Sequence, residues 1–564
     1  MRHSLLEAAR WILQDGVDES FGDLSEASLA WLRDAPLKAL HPSGLELCIG
    51  ALTRLAIVYL GTGSESSGPV KSGSILQQAV AHPDHITALC WSCFGEPHTA
   101  RCKESYILVG TATGYLQVHS DGGALLHRQR LHTSAVTSIR MRVAGMHISA
   151  DDASEDVTVC FEDAAACFSS IELRSLVYIR REVGPSNRWP TLGFNKWDTS
   201  RSAGKRSDAL CLGSKSAGLY SVMTNRDTST SLLLLTVGRS PCIAAFEVKE
   251  HAPQGALALV SDMASTAVTG MAGLAKAALV GREDGYRAGL RKWLRRRGES
   301  ESSEAPNSPM TPTSDGKEEV PQAAEPAALW RSFKDDARCI TSLTPAPRGS
   351  LAAVTDNLGR VLLIDAASAA VLRIFKGYRN AQCAWLCLQA PMRPSHASAS
   401  AAGQQSGSKA DGPSSLKANQ SYEKQQHRSL DSLADSEQPG TSACNVGSVA
   451  SPGRAAQWHA TWPPDGSDTA AGEQLFLAVH APNRRAVEVW ETAYGPRLCS
   501  IKVGPECCML SAAPVFGKGQ RLHRENLAAQ RPGKCWLLDS RQGQLQSLED
   551  AVLAALSKGV QEHK

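Results

Sequence analysis

The stretch from Leu351 to Leu386 constrains the fold more tightly than any other part of the chain. Short β-branched and apolar runs, LAAVT, VLLID and VLRIFKG, alternate with the turn letters DNLG and the small-residue link AASA. Asn, Asp and Gly at such junctions hydrogen-bond their own backbone or accept left-handed conformations, so the stretch predicts a β-meander. Just before it, Cys339-Ile340-Thr341-Ser342-Leu343 supplies one more apolar run. Four strands then fit into about forty residues, the spacing of one propeller blade.

The pattern recurs along the chain. Ile86-Thr87-Ala88-Leu89, Val136-Thr137-Ser138-Ile139 and Ile340-Thr341-Ser342-Leu343 share the order β-branched, Thr, small, aliphatic, and the first two begin fifty positions apart. A period of about forty to fifty residues with four strands per unit is the signature of blades, each burying its faces against its neighbours. Runs at LELCIGA, RLAIVYLG, SYILVGTATGYLQVHS, LLLLTVGRSPCIAAFEV, QLFLAVHAPNRRAVEVWE and KCWLLDSRQGQLQSL extend the series. We expect a mainly β, WD-repeat-like β-propeller of six or seven blades, some of them degenerate.

Composition marks what cannot belong to blades. Residues 298–328 and 393–472 are rich in Ser, Gly, Pro, Gln and Ala and poor in branched apolar side chains. Such segments bury too little surface to offset ordering entropy and are expected to be disordered loop insertions. Leu5, Leu6, Ala9, Ile12 and Leu13 recur at helical spacing, which predicts a helical segment over residues 1–40. The expected partition is therefore helical 1–40, propeller 41–250, an inserted amphipathic helix with a basic cluster 251–297, a linker 298–328, a blade with its following turn 329–392, an insertion 393–472, the last propeller strands 473–550, and a helix or tail 551–564.

Residues within these blocks carry a family resemblance. AAVTDNLGRVLLID, FKGYRNAQCAW and VEVWETAYGPRL resemble the N-terminal region of the non-catalytic (regulatory) subunit of the Rab-3 GTPase-activating complex. The family's pattern reads Trp-Lys-Gly-Tyr-Arg-Asp-Ala-Gln; Lys376, Gly377, Tyr378, Arg379, Ala381 and Gln382 match it, with Phe375 in place of the Trp and Asn380 in place of the Asp. The resemblance is specific in two blocks, 339–388 and 474–505, and generic elsewhere. It implies a larger catalytic partner subunit that supplies the transition-state arginine, GTPase activation on Rab-3-like proteins, nucleotide exchange on Rab-18-like proteins, and a role in membrane trafficking and autophagy. The resemblance also implies that family members carry a large helical region, which is not expected within the sequence up to Lys564.

The 59 basic and 56 acidic residues leave a formal charge of +3, which excludes a strong field for nucleic acid, and no nucleic-acid partner is expected. Sixteen cysteines are scattered through apolar strand-like runs, the habit of reduced core thiols and of a cytoplasmic protein. The start MRHSLLEAARWILQDG has no apolar signal region, and no run of eighteen apolar residues occurs, so neither secretion nor a membrane span is expected.

Four stretches could carry chemistry. Cys90, Cys93, His98 and Cys102 approach a zinc-knuckle spacing, but Cys90 falls within a predicted strand on the face of Ala88 and Ile86, so a buried thiol and no bound zinc are expected. No nucleophile elbow, Walker loop, HExxH or paired carboxylates in a glycine frame occurs; no catalytic site and no cofactor are expected. Within Gly255 to Gly281, Val260, Met263, Ala267, Met271, Leu274 and Ala278 form one helical stripe opposed by Ser, Thr and Gly, and a basic cluster with Arg291, Trp293, Arg295 and Arg296 follows. That combination suits either an interfacial helix drawn to anionic lipid, with peripheral placement on endoplasmic reticulum or vesicle membranes, or a helix docked on protein. Ser308-Pro309 and Thr311-Pro312 beside the cluster are candidate phosphorylation sites.

The turn from Phe375 to Trp385 is the leading surface candidate. Lys376, Gly377, Tyr378, Arg379, Gln382 and Trp385 include residue types favoured at interface hot spots, on a loop. The structural alternative has Tyr378 and Trp385 sealing adjacent blades and Arg379 tied to a strand-end carbonyl. Function then divides between a non-catalytic scaffold in a Rab-directed complex, with a catalytic subunit and a Rab GTPase as partners, and a generic propeller adaptor in vesicle trafficking without Rab regulation.

Overall fold

In the computed structural model, residues 31–32, 35–59, 74–76, 84–96, 101–143, 154–183, 191–215, 231–250, 321–347, 349–389, 473–492, 495–517, 534–539 and 544–562 are described. Their strands pair as seven sheets arranged as the blades of a β-propeller. From the inside outward, the first blade is Leu37–Leu40, Glu46–Ala51, Arg54–Tyr59 and Ser74–Leu76; the second is Ile86–Glu96, Arg101–Thr111, Tyr115–Ser120 and Leu125–Arg130. The third is Val136–Arg142, Asp156–Phe161, Ala164–Ser169 and Asn195–Asp198; the fourth is Arg206–Ser214, Ser231–Gly238, Ile243–Lys249 and Ala328–Phe333. The fifth, Ile340–Pro345, Leu351–Asp356, Arg360–Asp365 and Ala370–Lys376, is the predicted meander. The sixth is Gln382–Gln389, Glu473–Ala481, Ala486–Glu491 and Arg497–Lys502, and among the described residues the seventh has three strands, Cys507–Ser511, Cys535–Asp539 and Gln544–Ser547.

Each blade presents apolar residues on both faces, so burial happens between blades. Seven apolar clusters result, one at each junction. At the ring's seam Leu40, Leu47 and Ile49 of the first blade pack on Leu510, Ala512 and Leu538 of the seventh stretch of chain. Gly44 there has φ +72°, and a Cβ on it would lie 2.8 Å from the Trp536 indole. Among the described residues no strand is shared within one sheet at the seam, but Val515–Phe516 crosses over to pair in parallel with Cys93–Phe94 of the second blade.

The recurring Thr has a geometric explanation. The pairing of the innermost strand with its neighbour skips Thr87, Thr137, Ser207 and Thr341 in the second to fifth blades, and a bulge of one residue places positions i and i+3 on one face. Val136 and Ile139 therefore face the same cluster, as do Ile340 and Leu343. The bulged hydroxyls of Thr87, Ser207 and Thr341 donate across the sheet to the carbonyls of Gly110, Val237 and Thr355 at 3.3, 3.2 and 3.2 Å. The bulge also corrects the expected placement of Cys90: it stays with Ala88 between the second and third blades, while Ile86 turns to the first–second junction.

One carboxylate ties three innermost strands together. Asp208, 2% exposed, accepts Ser138 Oγ at 2.6 Å and Arg140 Nη2 at 2.6 Å from the third blade, and the Leu343 amide at 3.0 Å from the fifth.

Two helices flank the sheets. Helix α1, Ser170–Val183, was not anticipated; Ser169 Oγ accepts the Glu172 amide at 3.1 Å, Leu173, Leu176 and Val177 are buried, and the Glu172 carboxylate accepts the Gly193 amide. This is an S-x-x-E start with an i, i+3, i+4 stripe, legible in principle. Helix α2, Leu548–Glu562, begins three residues before the expected boundary and buries Leu548 and Val552 beside the sixth and seventh blades. Two further boundaries move: Leu37–Leu40 is strand rather than helix, and Glu325–Pro326, inside the expected linker, pairs in parallel with Trp197–Asp198.

The alternation of strand direction gives the propeller two unlike faces. Turns between second and third strands, and from one blade to the next, fall on one face; most are short, such as 112–114, 357–359, 377–381 and 482–485. The strand ends joined by 216–230, 251–320 and 390–472 fall on the other, where Gln389 lies opposite Glu473 in register.

Candidate functional site

The turn linking the fifth and sixth blades is built on left-handed residues. Gly377 has φ +85° and Asn380 φ +53°; the first suits a residue without Cβ and the second a residue type that tolerates this region. The Gly377 and Tyr378 amides both donate to the Gly359 carbonyl, at 3.0 and 2.7 Å. The chain thereby folds back over the 357–359 turn, where a Cβ on Gly359 would meet Arg379 Cγ at 2.6 Å.

This geometry divides the six predicted residues into two groups. Lys376, Gly377, Arg379 and Gln382 are exposed, whereas Tyr378 and Trp385 are each 4% exposed and point into the junction. Tyr378 Oη donates to the Glu488 carboxylate of the sixth blade, and burial followed by that carboxylate pushes its hydroxyl up to about 12. Trp385 Nε1 donates to the Thr344 carbonyl of the fifth blade at 3.0 Å. Both thus take the sealing role of the structural alternative. Gln382 reaches the other way, its Oε1 accepting the Met509 amide of the seventh blade at 2.6 Å and lying 3.3 Å from His480 Nδ1. Burial pushes His480 down to about 4, so it is neutral at physiological pH.

A second turn, which sequence reasoning did not single out, completes the site. Pro482–Arg484 forms a 3-10 turn ending at Arg485, φ +51°. Arg484 lies over the Tyr378 ring, 4.4 Å from guanidinium carbon to centroid, and donates to Glu488 at 3.2 Å; Arg497 reaches the same carboxylate at 3.3 Å. Arg484 Nη2 also approaches the Lys376 carbonyl at 3.4 Å, so the two turns touch. The signal was Pro-Asn-Arg-Arg between two strand runs.

The other candidates fare differently. Cys90 and Cys93 belong to clusters on opposite sides of one strand, which keeps them from converging on one ion; burial pushes Cys90 up to about 11. His98 lies outside the described residues, and of Cys102 only the backbone is described. The buried trio Asp156, Cys167 and Cys211 could hold a cation by proximity, but Arg142 already pairs with Asp156, and the hydrogen bond with Cys211 followed by burial pushes the Cys167 thiol well above its usual value. Every cysteine whose side chain is described is a free thiol. Val260, Met263, Met271, Leu274, Arg291, Trp293, Arg295 and Arg296 lie outside the described residues; their segment leaves the fourth blade after Lys249, whose carbonyl accepts Trp197 Nε1 at 3.1 Å, and Lys196 Nζ donates to the Gln322 carbonyl near its return. Among the described residues no helix is long and apolar enough to cross a membrane.

The family model described as Rab3 GTPase-activating protein regulatory subunit N-terminus matches residues 31–510. A Rab3 GTPase-activating protein regulatory subunit of Caenorhabditis elegans is 43% identical over 59 residues, which are 10% of this chain and 4% of that protein's length. A chain in a crystal structure of the mitotic checkpoint complex superposes at TM-score 0.29 and 9% identity over 62% of this chain and 68% of its own, too loosely to carry an argument.

Proposed function

Because the chain belongs to the Rab3 GTPase-activating protein regulatory subunit family, in the N-terminal region of that subunit, we propose that it is a non-catalytic scaffold. It holds a catalytic subunit and thereby alters GTP hydrolysis or nucleotide exchange on a Rab GTPase in membrane trafficking and autophagy. Acceleration of GTP hydrolysis in trans rests on one rigidly aimed charged donor at the γ-phosphate. Among the described residues the buried arginines are committed to internal partners: Arg142 to Asp156, Arg206 to the Gly204, Arg239 and Pro241 carbonyls, and Arg338 to Asp335 and Asp356. The family resemblance assigns the arginine that acts on the nucleotide to the catalytic partner.

The observation that carries this reading is the 376–382 turn, where buried Tyr378 and internally bonded glycines hold Arg379 and Lys376 outward in a fixed frame. Preorganised loops with exposed Arg bind protein at low ordering cost. The chain is cytoplasmic and peripheral on endomembranes, with residues 255–297 supplying the contact to anionic lipid.

Co-purification of the chain with a catalytic subunit, followed by single-turnover hydrolysis and nucleotide-release assays on Rab proteins, tests the proposal. The complex is expected to form and to change activity or Rab choice, and Lys376→Ala/Arg379→Ala to weaken it. Acceleration by the chain alone would overturn the non-catalytic assignment; absence of a complex would favour the adaptor reading.

A further inference from the structure

The two turns of the site form one cationic crescent that runs past the residues named above. Going along it, Arg379 packs on Gly359, Lys376 and Gly377 touch Arg484, and Arg485 is bonded through its carbonyl to the Val503 amide next to Lys502. Lys376, Arg379, Arg484, Arg485, Arg497 and Lys502 are all exposed, and the side chains of Arg484 and Arg497 are 42% and 51% accessible. The carboxylate set among them, Glu488, is buried and already engaged by Tyr378, Arg484 and Arg497. Among the described residues Lys376, Arg379, Arg485 and Lys502 form no ion pair. Elsewhere on the same face exposed cations do have carboxylate neighbours, as Lys205 has Glu162 at 2.7 Å and Arg201 has Asp198 at 3.8 Å.

The backbone is committed to this display. Arg485, a residue without a glycine's freedom, sits at φ +51°, held by its amide on the Pro482 carbonyl and by Val503 on its own carbonyl. Such a conformation is strained and persists only when its surroundings fix it. Next to the crescent, Leu358 is 41% exposed at the tip of the 357–359 turn.

We propose that this crescent is the docking groove for an acidic polypeptide segment of the partner, with Arg379 and Arg485 taking its carboxylates and Leu358 an apolar side chain. The arginines favour a peptide over a lipid surface: four of the six cations are Arg, two of them pinned by Glu488, and planar, oriented guanidiniums match carboxylates bidentately. A membrane surface asks instead for mobile cations and a broader apolar face. That the partner is the catalytic subunit rests on the proposed function; that its segment is acidic does not.

A fluorescein-labelled peptide of Glu and Asp residues around a central Leu serves as probe for the intact chain, read by anisotropy. The intact chain binds it, and Arg379→Glu/Arg485→Glu weakens binding at least about tenfold and flattens its salt dependence. Arg201→Glu, on the same face but outside the crescent, leaves binding unchanged. Lack of peptide binding by the intact chain, equal weakening by Arg201→Glu, or capture of vesicles containing phosphatidylserine in place of the peptide would overturn the proposal. Binding of the isolated catalytic subunit is measured in parallel: a complex indifferent to the double substitution refutes the crescent as its groove while leaving the scaffold reading intact, and peptide binding without a complex refutes the scaffold reading alone. Thermal melts of both variants exclude unfolding as the cause.

Discussion

Replacing Asp208 by Ala removes the one acceptor shared by three blades. Arg140, whose side chain is 32% exposed, keeps some access to water, so its loss falls at the lower end of the cost of breaking a partly buried ion pair, about 3 kcal/mol. The Leu343 amide and Ser138 hydroxyl lose their acceptor as well, each worth on the order of 1 kcal/mol. The variant should therefore be about 5 kcal/mol less stable, a large part of a typical domain's margin. Asp208→Asn keeps one carbonyl oxygen in place and should cost roughly half as much. Equilibrium urea unfolding at pH 7.5 measures both, and Arg140→Ala alone and combined with Asp208→Ala completes a cycle. Because the charge is stranded in each single variant, the double variant should recover about 1 kcal/mol or more relative to the sum. Additive single costs, or an Asp208→Ala cost below about 0.5 kcal/mol, would refute the assignment of Asp208 as the tie between strands.

Other expectations follow from the same geometry. Burial pushes His127 and His480 down to about 4, below the usual unfolded value of about 6.5, so the unfolded chain binds more protons between those limits; stability should fall as pH drops from about 6.5 towards 4, by about 2 kcal/mol per histidine at pH 5, and a flat profile in chemical denaturation would contradict it. Gly377→Ala meets both φ +85° and Arg484 Nη2 at 2.6 Å, and should lower stability by about 1–2 kcal/mol in urea titration, against little change if the turn simply shifts. Met271→Asp/Leu274→Asp should abolish sedimentation with anionic liposomes at low salt; retained binding with a lowered melting temperature would make that segment a docked structural helix.

The fifth blade was legible because its strands are short and its turns carry Asn, Asp and Gly where the backbone needs them. The recurring β-branched-Thr-small-aliphatic order was visible too, but its meaning was not. Period-2 reading places Ile86 and Ala88 together, and only the skipped pairing at Thr87 separates them. Helix α1 was hidden for the opposite reason: it sits inside a run of strands, where a 3.6-residue stripe of Leu173, Leu176 and Val177 passes for apolar strand residues unless the Ser169–Glu172 cap is weighed. At the site, the sequence pointed to the right turn and could not divide it. Tyr378 and Trp385 are the residue types of both a hot spot and a seal, and the deciding facts, Glu488 and Thr344, lie 110 and 41 positions away. Arg484 and Arg485 escaped notice because their relation to Lys376 exists only after the blades have met.

The seam between the first and seventh blades joins residues roughly 470 positions apart, as Leu40 and Ala512 show. A nascent chain exposes Leu40, Leu47 and Ile49 until Leu510 and Leu538 have left the ribosome. Closing so long a loop carries an entropy cost that grows only as the logarithm of its length, yet it delays the contact until the seventh blade has been made. The inner face of the first blade is consequently the surface on which a holdase chaperone has longest to act, and a premature stop between residues 512 and 535 leaves it sticky for good.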